Sequence, residues 1–183
     1  MSNTPTAEGG AARSLPSDCN TETLGVAFFD LSRFGEWSSS DEDERVAAFL
    51  QQFYELAAVT LEPAGCRLVK FMGDAGMAVF PVDKAEEAII ALCEFSTGAR
   101  QAARAVGLDT WCNTTIHVGD VITGTFGPPG LERFDVIGKT VNIAARLGRR
   151  GIVLSPQGFR TLSEAGRKRF QKITRPITYA FRG

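Results

Sequence analysis

Apolar and polar positions along the chain fall into short blocks whose period changes repeatedly. Leu24-Gly25-Val26-Ala27-Phe28-Phe29 is a continuous apolar run of strand length that ends abruptly at Asp30, as a buried strand does. Ser39-Ser40-Asp41-Glu42 places a Glu three positions after a Ser, a capping box that opens a helix. That helix carries Val46, Phe49, Leu50, Phe53, Leu56 and Ala57 on one face and stops at Pro63-Ala64-Gly65. Two short strands, Arg67 to Phe71 and Met77 to Phe80, are joined through Gly73-Asp74-Ala75-Gly76, whose glycines suit a tight hairpin. Asp83 and Glu86 cap a second long helix, with Ala85, Ala88, Ile89, Leu92, Ala99, Ala103 and Val106 inside and Gly107 as its stop. Strands follow at about Trp111 to Val118 and Val121 to Phe126, and Gly127-Pro128-Pro129-Gly130 then forces a loop or a projecting arm. A strand at Arg133 to Ile137 runs into a helix from about Lys139 to Leu147. The tail reads as a short strand, a helix from about Pro156 to Ala165 and two final strands. Two helices long enough to cover one sheet face, in this order, predict an α+β ferredoxin-like sandwich with an antiparallel sheet covered by helices. Residues 1–23, rich in Ser, Thr, Ala, Gly and Pro, read as a disordered leader ahead of one domain at 24–183.

Composition narrows the chemistry. A net charge of -1 with 44% hydrophobic and 22% charged residues is an ordinary globular balance and argues against a nucleic-acid binder, which needs a basic face. The short basic clusters Arg149-Arg150 and Arg167-Lys168-Arg169 read as solvated surface. No apolar run approaches the ~20 residues of a membrane span; the stretch from Ala88 to Cys93 stops at Glu94. No secretory signal is visible, and Cys19, Cys66, Cys93 and Cys112 form no Cys-x-x-Cys pair, so reduced cysteines in a cytoplasmic protein are expected. His117 is the single histidine. It lies in an alternating strand pattern and reads as structural, which leaves triad and zinc chemistry poorly supplied. Carboxylates and a hard metal ion are the better expectation.

Two aspartates stand out by position. Asp30 ends the first buried strand and Asp74 occupies a hairpin tip. In a ferredoxin-like sheet the first strand lies centrally beside that hairpin, so both carboxylates reach one end of the sheet. Paired carboxylates repel unless a cation sits between them, and hard oxygen donors suit Mg²⁺ or Mn²⁺. The alternative is that Asp30 caps a turn and Asp74 supplies only hairpin chemistry. A second constellation is Asn142 and Arg146, four apart on one helix face while Val141, Ile143 and Ala144 pack inward. An amide with a guanidinium suits a ribose and a phosphate.

Three segments carry a family resemblance. Val26-Ala27-Phe28-Phe29-Asp30-Leu31, Val69-Lys70-Phe71-Met72-Gly73-Asp74 and the run from Phe134 to Leu147 resemble the class III adenylate/guanylate cyclase catalytic domain, in that family's order and approximate spacing. The similarity extends from about Leu24 to about Tyr179. It implies two Mg²⁺ or Mn²⁺ ions held by Asp30, Asp74 and the Leu31 carbonyl, with Asn142 and Arg146 on the ribose and α-phosphate. It also implies a homodimer whose sites combine the aspartates of one chain with the remaining residues of its partner. The Pro-Pro-Gly arm near 128–130 is then a candidate dimer contact.

Base choice follows from the residues at the family's two purine-reading positions, Lys70 and Asp135. Adenine offers an acceptor at N1 and a donor at N6, which a Lys and an Asp complement. Guanine inverts that edge, and guanylate cyclases of the family carry Glu and Cys there. The expected activity is therefore conversion of ATP to cyclic AMP and pyrophosphate.

Departures touch the grip on phosphate. Ser32-Arg33-Phe34-Gly35 stands where the family has a Gly-Phe-Thr-like turn around the triphosphate, which places Arg33 and Phe34 at the substrate, Arg33 where Gly is common. Asp120 stands where some members have a phosphate-binding Arg. A C-terminal phosphate lysine has no clean match, and Lys172 and Arg175 are both candidates. The competing readings are a nucleotide-binding or dimerisation module with little turnover, and a guanylate cyclase. A regulatory partner or domain is left unidentified.

Overall fold

In the computed structural model, residues 18–148 and 151–182 are described, so Arg149-Arg150 and most of the expected leader lie outside the described residues. The first strand, β1 (Asn20–Leu31), starts four residues before the apolar run and is followed by a short helix α1 (Phe34–Ser38) and a long one, α2 (Asp43–Leu61). The hairpin β2 (Arg67–Met72) and β3 (Ala75–Pro81) leads to the helix α3 (Ala85–Ala105). Then come β4 (Cys112–Phe126), β5 (Arg133–Ile137), α4 (Lys139–Arg146) and β6 (Ile152–Leu154). The chain closes with α5 (Pro156–Arg160), α6 (Glu164–Arg167), β7 (Phe170–Thr174) and β8 (Ile177–Phe181).

The strands form one sheet in the order β2-β3-β1-β4-β6-β8-β7, with β5 paired to β4 off that path. Its first four strands are antiparallel neighbours around a central β1, which is the expected ferredoxin-like α+β core. Alternation along β1 divides the molecule into two cores. Ala27, Phe29 and Leu31 face α2 and α3, where Phe49, Phe53, Leu92 and Phe95 pack with them. Val26 points the other way and packs with Met77, Val79, Val121, Val136 and Ala144 of α4. Asp30, two pleats from Val26, belongs to this second face.

Four local expectations are corrected. The Ser39–Glu42 capping box does not form: α2 starts after Glu42 with no side-chain cap, because Ser39 instead donates to the Gly35 carbonyl and finishes α1 at 2.7 Å. Asp83 and Glu86 likewise leave α3 uncapped; Glu86 accepts from the N–H and hydroxyl of Ser163 at 2.9 and 2.6 Å. Gly119-Asp120 does not break the chain into two strands, since β1 runs far enough to pair with β4 from Cys112 through Thr123, Thr23 opposite Asp120. The helix expected from Pro156 to Ala165 is two short helices, each capped by a serine, Ser155 and Ser163.

Candidate active site

The hairpin that presents Asp74 turns in two residues. Met72 pairs with Ala75, and Gly73 adopts φ 65°, a conformation open to glycine at little cost. The Tyr54 hydroxyl donates to the Gly73 carbonyl at 2.8 Å and fixes the tip against α2. Gly76 leaves room for the Phe29 ring, which would lie 2.3 Å from a Cβ there. β3 therefore lies flat on β1, with Ala75 opposite Asp30. The Leu31 N–H donates to the Asp74 carbonyl at 3.3 Å.

The result is a cavity of about 280 Å³ lined by Asp30, Asp74, Phe28, Thr115, Ala145 and Gly148, among others. Burial raises the Asp74 carboxyl above its ordinary value, and the charge of Asp30 adds to the rise. Hydrogen bonds from the Asp74 and Leu31 backbone act in the opposite direction. Two acidic groups that raise each other's cost of ionisation in a partly dry cavity, with no thiol or imidazole among its lining residues, fit a hard cation.

Asn142 and Arg146 are exposed on α4 and line a different cavity, of about 470 Å³, with Lys139, Leu147, Pro176 and Ile177. Ile143 lines it too and is 45% exposed. The inward packing expected of Ile143 is thus corrected: α4 buries Thr140 and Ala144, and 143 falls on its outer side. Within one chain the carboxylate pair and the Asn142–Arg146 pair are not brought into one cavity.

Lys70 and Asp135 meet. Lys70 Nζ lies 2.6 Å from Asp135 Oδ2, and Asp135 Oδ1 accepts from the Val136 N–H at 2.8 Å. Both side chains remain partly exposed, at 41% and 30%. Phe34 is a core residue, stacked on Phe49 and packed against Trp37, so its ring is not part of a substrate surface. Arg33 takes φ 63°, a left-handed backbone that glycine adopts at less cost. Its guanidinium turns to Glu36 at 3.1 Å and lines a separate groove with Trp37 and Asp109. Asp120 is exposed and accepts from Thr23 at 2.6 Å. Lys172 and Arg175 are exposed on and beside β7 and line neither cavity. His117 is buried and bonds Ser155 Oγ through Nδ1 at 2.8 Å, and burial lowers its pKa. The free thiols of Cys66, Cys93 and Cys112 are buried, each pushed up to about 12.

Sequence reading missed Tyr54, Thr115, Ala145, Gly148 and Arg67. Ala145 and Gly148 lay within or beside the third motif, but nothing local marked them as cavity walls. Thr115 becomes a wall only through its pairing with Phe28.

A sheet layered on both faces, with paired carboxylates where β1 meets the β2–β3 hairpin, defines a nucleotidyl-cyclase fold. The guanylyl cyclase Cya2 superposes with a TM-score of 0.79 at 19% identity, over 91% of this chain and 94% of that one. The adenylyl cyclase CyaB from P. aeruginosa gives 0.79 at 22% identity, over 91% and 96%. The family model for the adenylate and guanylate cyclase catalytic domain matches residues 18–175, and the chain belongs to that family. Among curated relatives, a germination-specific adenylate cyclase of Dictyostelium discoideum is 29% identical over 136 residues. An adenylate cyclase of Anabaena cylindrica is also 29% identical over 136 residues. These matches cover 69% and 70% of this chain but 16% and 27% of the relatives' own lengths. Among the described residues no helix is long and apolar enough to cross a membrane.

Proposed function

We propose that the domain is an adenylate cyclase, cyclising ATP to 3′,5′-cyclic AMP with release of pyrophosphate. The observation that carries the choice of base is the Lys70–Asp135 pair, which sets a cationic donor 2.6 Å from a carboxylate acceptor. That spacing suits the adjacent N1 acceptor and N6 donor of adenine. Lys70 keeps further N–H bonds to give, and each carboxylate oxygen has a second lone pair. The curated relatives described as adenylate cyclases support the same choice.

Asp30, Asp74 and the Leu31 carbonyl would hold the Mg²⁺ or Mn²⁺ ions. When bound, such ions supply Lewis acidity toward the ribose 3′-hydroxyl and the phosphate oxygens. Asn142 orients the ribose so that O3′ faces the α-phosphorus, and Arg146 neutralises charge on the α-phosphate as the bond to the β-phosphate breaks. The pairs occupy separate cavities of one chain, which supports composite sites in a homodimer, the aspartates from one protomer and Asn142 with Arg146 from its partner.

The test is turnover of the purified chain with ATP or GTP in Mg²⁺ or Mn²⁺. Cyclic AMP formation is expected to exceed cyclic GMP formation at least about ten-fold, the weight of one mismatched hydrogen-bonding pair. Equal or faster GTP turnover, or ATP binding without product, would rule the reading out.

A further inference from the structure

The Lys70–Asp135 contact joins two strands that are not sheet neighbours. β2 is the edge strand beside β3, and β5 hangs from β4 off the main path. Their side chains meet because β5 curls back over the second core, where Phe134 and Val136 pack with Val69, Met77 and Val79. A local irregularity in β2 aims Lys70 at β5. Arg67 pairs with Val79, Leu68 with Ala78 and Lys70 with Met77, so Val69 is an extra residue in the ladder. In a regular strand residues three apart point to opposite faces. The bulge returns Lys70 to the face of Arg67. On that shared face Arg67 lies over the Phe134 ring, its guanidinium carbon 3.3 Å from the centroid.

We infer that Arg67 and Phe134 are positioning residues for base selection: their stack pins β5 to β2 and so holds Asp135 against Lys70 at the spacing an adenine edge requires. The inference rests on the base-reading role proposed above for Lys70 and Asp135. Neither Arg67 nor Phe134 has to touch the nucleotide. Asp135 is fixed on one side by the Val136 N–H and reaches Lys70 across the seam. A looser seam lets the donor and acceptor drift apart. Recognition that needs both at once then weakens, while recognition of phosphate and ribose does not change.

The test measures the affinities of Arg67→Gln and Phe134→Leu chains for fluorescent ATP and GTP analogues, alongside kcat and thermal melting. Arg67→Lys and Lys70→Ala serve as references. The expected result is an ATP affinity reduced about two- to five-fold, the weight of an exposed cation–π contact. GTP affinity and kcat at saturating ATP should stay at wild-type values, and Arg67→Lys should restore most of the loss. Arg67 is exposed, so its variants test the idea even if Phe134→Leu melts early. An unchanged ATP-to-GTP ratio in Arg67→Gln, or an equal loss for both nucleotides, overturns the inference. If Lys70→Ala shifts the ratio and Arg67→Gln does not, the seam alone fails. If Lys70→Ala leaves the ratio unmoved, the base-reading assignment fails and takes the seam with it.

Discussion

Asp74 carries two burdens, partial burial and the neighbouring charge of Asp30, and both raise its carboxyl pKa. Such a residue is stabilised by whatever positive charge enters the cavity. Asp74→Asn removes one of the two carboxylates while keeping its size. Cyclase turnover is expected to fall by about three orders of magnitude, several kcal/mol of lost transition-state stabilisation. Thermal stability should hold or rise slightly because the repulsion is gone. Turnover within ten-fold of wild type would show that the carboxylate is not needed. At this scale the sequence was informative where a residue broke a pattern. Asp30 was visible because an apolar run ends on a carboxylate, and His117 because strand alternation enclosed it. Arg33 and Phe34 were read from their place in a motif, and their side chains turned elsewhere. The Phe34 ring found Phe49 and Trp37, and the Arg33 guanidinium found Glu36.

The long elements were predicted well in kind and less well at their ends, while the short helix α1 had no signal that the sequence reading used. Helix α2 and helix α3 follow apolar stripes that a sequence shows directly. Their caps do not, because a Ser or Glu near a helix start has other backbone groups within reach. Glu86 is the clearest case: it lies in the first turn of α3 but ties down Ser163, whose own hydroxyl caps α6. Those bonds from Ser163 lower the Glu86 pKa. A depressed carboxylate pKa means stability that is present above the ordinary value of 4.5 and lost as pH falls through the folded value. Glu86→Ala should therefore lower stability at neutral pH by about a few tenths of a kcal/mol, solvent screening these surface bonds, with the gap to wild type closing in the acid range. Denaturant melts at a series of pH values would check this, and a gap that persists at low pH would contradict it. The β2 bulge is another feature of this scale. Val69 reads as a plain strand residue, and only pairing with β3 reveals it as the extra one.

Across the whole molecule, the two halves of the proposed chemistry sit apart. Asp30 and Asp74 line one cavity, and Asn142 and Arg146 line another on the outer side of α4. Chains carrying Asp30→Ala and Asn142→Ala should each be inactive alone. Mixed in equal amounts and allowed to exchange, they should regain about a quarter of wild-type turnover, since half the dimers then hold one intact site of two. A mixture that stays inactive while both variants fold and dimerise would refute shared sites. The sequence by itself determined the long strands and the two long helices, their order and the ferredoxin-like core, and it marked the residues of the candidate site. Those follow from local periodicity, from turn residues and from motifs contiguous in the chain. Only the tertiary structure decided that β4 runs unbroken through Gly119-Asp120, that β5 folds back to meet β2, and that Arg67 stands beside the Lys70–Asp135 pair. Each of these depends on which strand lies alongside and in what register, and register is set by cores assembled from residues far apart in the chain.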